Sequence, residues 1–202
     1  MVDSFTLNGF AEQIPVYRVA QRHRTHVLAD AWILLSDIRR FHQFTEVEAT
    51  SRIERVLDTL DLLVSVATRE FAGTVRSSRG DEHCLTFPDA SRAMSAAERL
   101  GRDWATASRE QKFNLSINFC LHRGTLYAFR SFLYGAGVVV AHEVLGTSIR
   151  RLGGNDGNTF VTSAMQESLY GSPWRGRLEL LFSDLPVARF PELKVFRVKS
   201  EQ

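Results

Sequence analysis

Cysteine is scarce in this 202-residue chain, which holds only Cys84 and Cys120. Two lone cysteines build no disulfide framework, and both fall inside strand-like runs, so buried and unreactive thiols are expected. An excess of one charge is also missing. The 25 Lys and Arg against 23 Asp and Glu leave a formal charge of +2, too little for a polybasic surface that holds nucleic acid through its phosphates. Long apolar runs are absent too. The longest, 27–35 and 132–141, fall far short of the roughly 18 residues a membrane span needs. The first ten residues lack the charged start and apolar block of a signal peptide. These absences point to a cytoplasmic chain with neither membrane nor nucleic acid as partner. With 44% hydrophobic residues the composition is that of a globular domain. The organisation expected is an N-terminal arm over 1–26 and one domain over 27–202 that includes a β-rich tail.

The apolar run Ala31–Ser36 is short enough for a buried central strand, and it ends in Asp37. Thr45 with Glu48 has the spacing of a capping box, and Ile53, Val56, Leu57, Leu60, Leu63, Val64, Ala67 and Phe71 follow at helical spacing, which predicts a long helix over 46–70. Residues 73–87 read as a hairpin turning at Arg79-Gly80-Asp81. Pro88-Asp89 starts a second, alanine-rich helix carrying Met94, Leu100 and Trp104. Residues 111–121 alternate Phe113, Leu115, Ile117, Phe119 and Leu121 with polar or small residues, a strand with one polar face; Gly124 separates it from a strand over 125–133. A third helix is expected near 138–145, then strands over 159–162, 177–182 and 193–198, the last two bounded by Pro173, Pro186 and Pro191. The order suits an α+β sandwich with helices over a mainly antiparallel sheet. Trp32, Trp104 and Trp174 are expected to pack, and His23 and His26, in the short basic run QRHRTH, to be solvated.

Asp37 closes a strand and Asp81 sits at a hairpin tip, both at strand ends where loops carry function. Two carboxylates suit Mg²⁺ or Mn²⁺, and a pair of such ions about 3.5–4 Å apart serves in-line phosphoryl displacement. Spacing alone leaves the alternative open that Asp37 caps a loop and Asp81 only supplies turn geometry.

The segment Ile33-Leu34-Leu35-Ser36-Asp37-Ile38-Arg39-Arg40-Phe41 resembles the first metal-binding segment of class III nucleotidyl cyclases, an apolar strand followed by Asp-Ile, two residues and Phe. Arg76–Phe87, with Gly80-Asp81 followed by Leu85 and Phe87, is similar to the second metal hairpin of that family. The helix from Ala90, the strand LSINFCLHRG over 115–124, Tyr134-Gly135-Ala136-Gly137-Val138, Phe160-Val161-Thr162-Ser163 and Leu193-Lys194 resemble its later pieces in the same order. The resemblance implies the family's ferredoxin-like sandwich. It also implies two Mn²⁺ or Mg²⁺ ions held by Asp37 and Asp81 with the carbonyl of Ile38, and triphosphate bound by the backbone from Ile38 to Phe41. A nucleoside triphosphate substrate and a homodimer with shared sites follow from it as well.

Purine-specific members carry a base-reading Lys three residues before the Gly of the second metal motif and an Asp or similar residue three before the later Gly. Here those places hold Ser77 and Phe132. The helix that supplies the family's transition-state Asn and Arg shows Val139 and Glu143 instead, or Ala141 and Leu145 if anchored on Gly137. Glu cannot replace a guanidinium fork. In these departures, in size and in keeping both aspartates, the chain resembles the stand-alone pyrimidine cyclases of bacterial anti-phage (Pycsar) systems. That implies UTP or CTP as substrate and a cyclic UMP or cyclic CMP product that activates a separate effector. A degenerate domain that dimerises or binds nucleotide without turnover, and a diverged purine cyclase, are the competing readings. Arg79 and Arg40 are the candidates to replace the missing cation, ahead of Arg76 and Arg39.

Overall fold

The computed structural model of the chain describes residues 2–5, 14–17, 26–129, 132–154, 156–185 and 192–199. Two short strands, β1 (Val2–Phe5) and β2 (Ile14–Tyr17), pair antiparallel with each other. The main sheet begins with β3 (His26–Ile38), so His26, expected in the arm, opens this strand and is exposed. A bulge between Leu28 and Ala31, with Asp30 in the left-handed region, breaks the pairing of β3 early in its course.

After β3 come α1 (Phe41–Val47) and α2 (Thr50–Glu70). The single helix expected over 46–70 is thus two. The capping box does not form: the Thr45 hydroxyl donates to the carbonyl of His42 within α1, and Ala49, which has no capping side chain, starts α2. The hairpin β4 (Thr74–Arg79) and β5 (Glu82–Phe87) turns at Gly80, whose φ of 63° is open to glycine at little cost. The helix α3 (Ala90–Glu110) is capped by Asp89, whose carboxylate accepts the Arg92 N–H at 2.8 Å.

The strand β6 (Ile117–Phe129) corrects two expectations. It starts after Leu115 and runs straight through Gly124, merging what reads as two strands. Its second face is not solvated either, since Asn118 and Cys120 are as buried as Phe119 and Leu121. The glycine at 124 serves packing rather than a turn: a Cβ there would sit 2.9 Å from the Cα of Gly137.

The remaining elements are β7 (Phe132–Tyr134), α4 (Ala136–Leu152), β8 (Thr159–Thr162), α5 (Ser163–Glu167), a 3-10 turn at Pro173–Arg177, β9 (Leu178–Phe182) and β10 (Val195–Val198). Pro186 and Pro191 lie outside the described residues. The sheet order is β4-β5-β3-β6-β8-β10-β9, with β7 paired to β6; only β6 and β8 run parallel among the described pairs. The α+β architecture is therefore the expected one.

Both faces of the sheet are covered. Leu34, Ile38, Leu85, Phe119 and Leu121 pack with α2 and α3, while Ile33, Leu35, Cys84 and Cys120 pack with α4. This explains why β3 reads as an unbroken apolar run rather than an alternating one. Trp104 is buried and donates its indole N–H to the Leu115 carbonyl at 2.9 Å, and Trp174 is buried against the same core.

Candidate active site

Asp37 is the penultimate residue of β3, on the face that carries Ile33 and Leu35 and lies under α4. Its neighbours follow from strand register. On one side β6 places Asn118 directly across from it. On the other, β5 is paired as far as Ser36 with His83, so the residues just before His83, Glu82 and Asp81, come beside the end of β3. The carboxylate of Asp81 accordingly faces the backbone N–H of Ile38 as well as its own. The two aspartates that the sequence singled out are brought together at the end of β3.

Electrostatics reflects this crowding. Burial, then Asp81, then Glu82 push the Asp37 carboxyl up to about 7, opposed by His142 and Arg39. Burial also raises Asp81, partly offset by the two backbone N–H groups it faces. Half-buried carboxylates that resist ionisation together form a site short of positive charge, and oxygen donors of this kind match a hard divalent cation. Among the described residues no group of three or more His, Cys, Asp or Glu is arranged to hold a metal unaided. A cation here therefore needs the two aspartates together with oxygens from the backbone, the substrate and water, the donor mixture typical of Mg²⁺ sites. The donor set fits.

The other residues named from the sequence take distinct places. Ile38 buries its side chain in the α2/α3 core, which leaves only its backbone for the site. Arg39 is tied down twice: its N–H donates to the Ser116 carbonyl at 2.8 Å and its Nη2 to the Gly154 carbonyl at 3.2 Å. Arg40 is exposed, sits at φ 60° and heads α1, a seven-residue helix and not the long one expected there. Phe41 opens α1 and stacks on Phe44 at 6.3 Å, so its ring serves packing. Arg76 is held by a 2.8 Å bond from Nε to the Thr86 hydroxyl. Arg79 is exposed and paired in register with Glu82. Ser77 lies on β4 and Phe132, 61% exposed, on β7; these two strands are not paired in the sheet but approach each other.

Three further residues are joined by the fold: Glu82 and Asn118 carried no site reading in the sequence, whereas His142 reads there as a helix histidine that could point at the site, a surface position being the more common outcome. Glu82 follows Asp81 and ion-pairs with His142 of α4, Oε2 to Nδ1, at 3.1 Å. Asn118 is 1% exposed; its carbonyl oxygen accepts the Asn158 N–H at 3.0 Å, while its amide nitrogen has no partner among the described residues. Alternation along β6 was the available signal for Asn118, because it sits on the face opposite Phe119 and Leu121. His142 and Glu82 are far apart in the chain, and only the packing of α4 on the sheet joins them. A separate groove of about 1310 Å³ runs along α3, lined by Trp104, Ser108, Asn158, Trp174 and Arg197, and none of the acidic residues above borders it.

No protein-family model matches the sequence, and no curated protein matches it either. Solved structures do. The chain superposes on the adenylyl cyclase CyaB from P. aeruginosa with a TM-score of 0.71 at 14% identity, covering 89% of this chain and 97% of that one. The guanylyl cyclase Cya2 gives 0.67 at 15% identity, with 87% and 92% covered. The guanylate cyclase domain of RhGC from Catenaria anguillulae, solved with GTP, gives 0.67 at 15% identity, with 88% and 100% covered. The chain is thus a nucleotidyl cyclase-like domain in fold. At these identities the likeness is one of fold, and the chemistry has to be argued from the residues in place.

Proposed function

We propose that the protein is a pyrimidine nucleotidyl cyclase that converts UTP or CTP into the 3′,5′-cyclic monophosphate and pyrophosphate. The observation that carries this reading is the meeting of Asp37 and Asp81 at the end of β3 in a cyclase fold. In the reaction the ribose 3′-oxygen forms a bond to the α-phosphorus, the bond from that phosphorus to the pyrophosphate oxygen breaks, and the hydroxyl proton is released. Two Mn²⁺ or Mg²⁺ ions, held by Asp37, Asp81 and the Ile38 carbonyl, would make the 3′-hydroxyl more acidic and neutralise charge on the leaving pyrophosphate. The chain's own groups bind and orient. The backbone from Ile38 to Phe41 lines the phosphate end, with Arg40 and Arg79 as exposed cations beside it.

Base choice is assigned to Ser77 and Phe132. Ser77 is neutral and small, and Phe132 occupies the space a purine's second ring requires. A homodimer with two shared sites is part of this reading, supported by the exposed apolar side chains of Phe132, Tyr134 and Val139 on neighbouring β7 and α4. The cyclic nucleotide then acts on a separate effector, as in an anti-phage signalling system.

The second reading is a domain that binds nucleotide without turnover. It is favoured by one observation: α4 presents Val139 and Glu143 where the family has transition-state groups. One experiment separates the readings. Purified protein is incubated with each of the four ribonucleoside triphosphates and Mn²⁺, and products are identified by mass. Cyclic UMP or cyclic CMP is expected. No cyclic product from any substrate leaves the binding domain, and cyclic AMP or cyclic GMP alone leaves a diverged purine cyclase, in line with the adenylyl and guanylyl cyclases whose fold it shares.

A further inference from the structure

The first turn of α4 lies directly on β6. A Cβ at Gly137 would meet the Ile33 Cδ1 at 2.8 Å, the Thr125 carbonyl at 3.0 Å and Gly124 at 3.1 Å. That contact fixes the height of the helix over the sheet. Five residues further on, about 7.5 Å along the axis, His142 arrives beside the start of β5 and ion-pairs with Glu82 at 3.1 Å. Glu82 stands next to Asp81 in the chain and close enough to Asp37 to oppose its ionisation. His142 therefore belongs to the same local field as both aspartates, and it is the largest favourable influence on ionised Asp37.

His142 is also the only side chain able to carry positive charge between residues 136 and 149 of α4; Arg150 and Arg151 lie in the last turn. Its Nδ1 is engaged by Glu82, and its Nε2 has no hydrogen-bond partner among the described residues. The imidazole is 39% exposed, so that nitrogen is accessible from outside. An imidazolium held by a carboxylate on one nitrogen presents an oriented, charge-assisted N–H on the other. The carboxylates of Asp37 and Asp81, the groups suited to metal-bound phosphate, belong to the same neighbourhood.

We propose that His142, oriented by Glu82, is a polyphosphate-binding residue of this site, contributed by the same chain that carries Asp37 and Asp81. The inference rests on the phosphate-binding part of the cyclase reading and not on turnover or base choice. A mere latch between α4 and β5 would account for the ion pair as well, but it would affect melting temperature and leave phosphate affinity alone.

The test is binding of inorganic triphosphate in the presence of Mn²⁺, followed by calorimetry on the full chain. His142→Gln is expected to weaken binding about tenfold, and His142→Arg to restore it to within about threefold of the wild type. Loss of less than threefold in His142→Gln, or a His142→Arg variant as weak as His142→Gln, overturns the proposal. Wild-type protein that binds no Mn²⁺–triphosphate overturns it too. In wild-type protein labelled with ¹⁵N-histidine, adding Mg²⁺ and triphosphate should shift the His142 Nε2 resonance, and an unmoved resonance again rejects the contact. Triphosphate binding that depends on His142 without any cyclic product would sink the cyclase reading and keep this one. Cyclic product with binding indifferent to His142 would do the reverse.

Discussion

The carboxylate of Asp81 faces the backbone N–H of Ile38, the residue that follows Asp37 on β3. Together with the antiparallel pairing of β5 on β3, this brings two acids from distant parts of the chain to one end of the sheet. Neither has a full set of metal donors alone, so each is needed. Asp37→Ala and Asp81→Ala should each lower cyclic-nucleotide formation by at least about 100-fold, a loss of the size expected when charge stabilisation at the reacting centre is removed. Product mass spectrometry at saturating Mn²⁺ reads this out. Near-wild-type activity in either variant contradicts the metal assignment.

The raised Asp37 carboxyl has a consequence for stability. Its folded value, about 7, lies above its ordinary value of 3.8. The folded state thus binds the proton more tightly than the unfolded one, and the stabilisation this gives is present below pH 4 and lost as pH rises through 7. Asp37→Asn mimics the protonated acid at every pH. Without divalent metal, the variant should melt above the wild type at pH 8, and the gap should narrow toward pH 5. The comparison is made between the two proteins because buried His122, held down at about 4, acts in the opposite direction in both. Mn²⁺ should raise the wild-type melting temperature at pH 8 and leave Asp37→Asn nearly unmoved. Parallel melting curves for the two proteins across pH would refute the assigned shift.

Gly137 sets how closely α4 approaches the sheet. Within a helix, replacing Gly by Ala usually stabilises by about 1 kcal/mol. Here the new methyl meets the Thr125 carbonyl at 3.0 Å and Gly124 at 3.1 Å, both backbone and unable to swing aside. Overpacking of this kind costs about 1–3 kcal/mol. Gly137→Ala should therefore be destabilising on balance, seen as a lower urea midpoint with an unchanged slope. A midpoint at or above the wild type would mean that the helix is not held by this contact.

What could be read in advance follows from how local each signal is. The buried strand ending in Asp37 was legible because a sheet covered on both faces leaves an unbroken apolar run, and the hairpin tip because Gly80 and Asp81 stand between two β-compatible segments. The break between α1 and α2 was not, since Thr45 and Glu48 have capping spacing but spend their side chains elsewhere: Thr45 on His42, Glu48 on Arg52 at 3.2 Å. Gly124 reads as a turn and is in fact a contact point for a helix that comes later in the chain. The Glu82 and His142 pair had no local signature, because it depends on where α4 crosses the sheet.

Base choice gives the remaining prediction. Phe132 is 61% exposed at the start of β7, and β7 approaches β4, which carries Ser77, without pairing with it. If these two side chains border the base, removing the ring opens space for a purine, and a Lys on β4 supplies a donor for purine acceptors. Apolar shape alone discriminates by about 10–200-fold. Phe132→Ala should accordingly reduce the ratio of kcat/KM for the preferred pyrimidine triphosphate over ATP about tenfold, through the ATP term. Adding Ser77→Lys should reduce it further, because the gain comes from a hydrogen bond that no pocket widening provides. Competition assays with UTP, CTP, GTP and ATP in one tube measure these ratios directly. A ratio unchanged in the double variant would place base recognition on other residues.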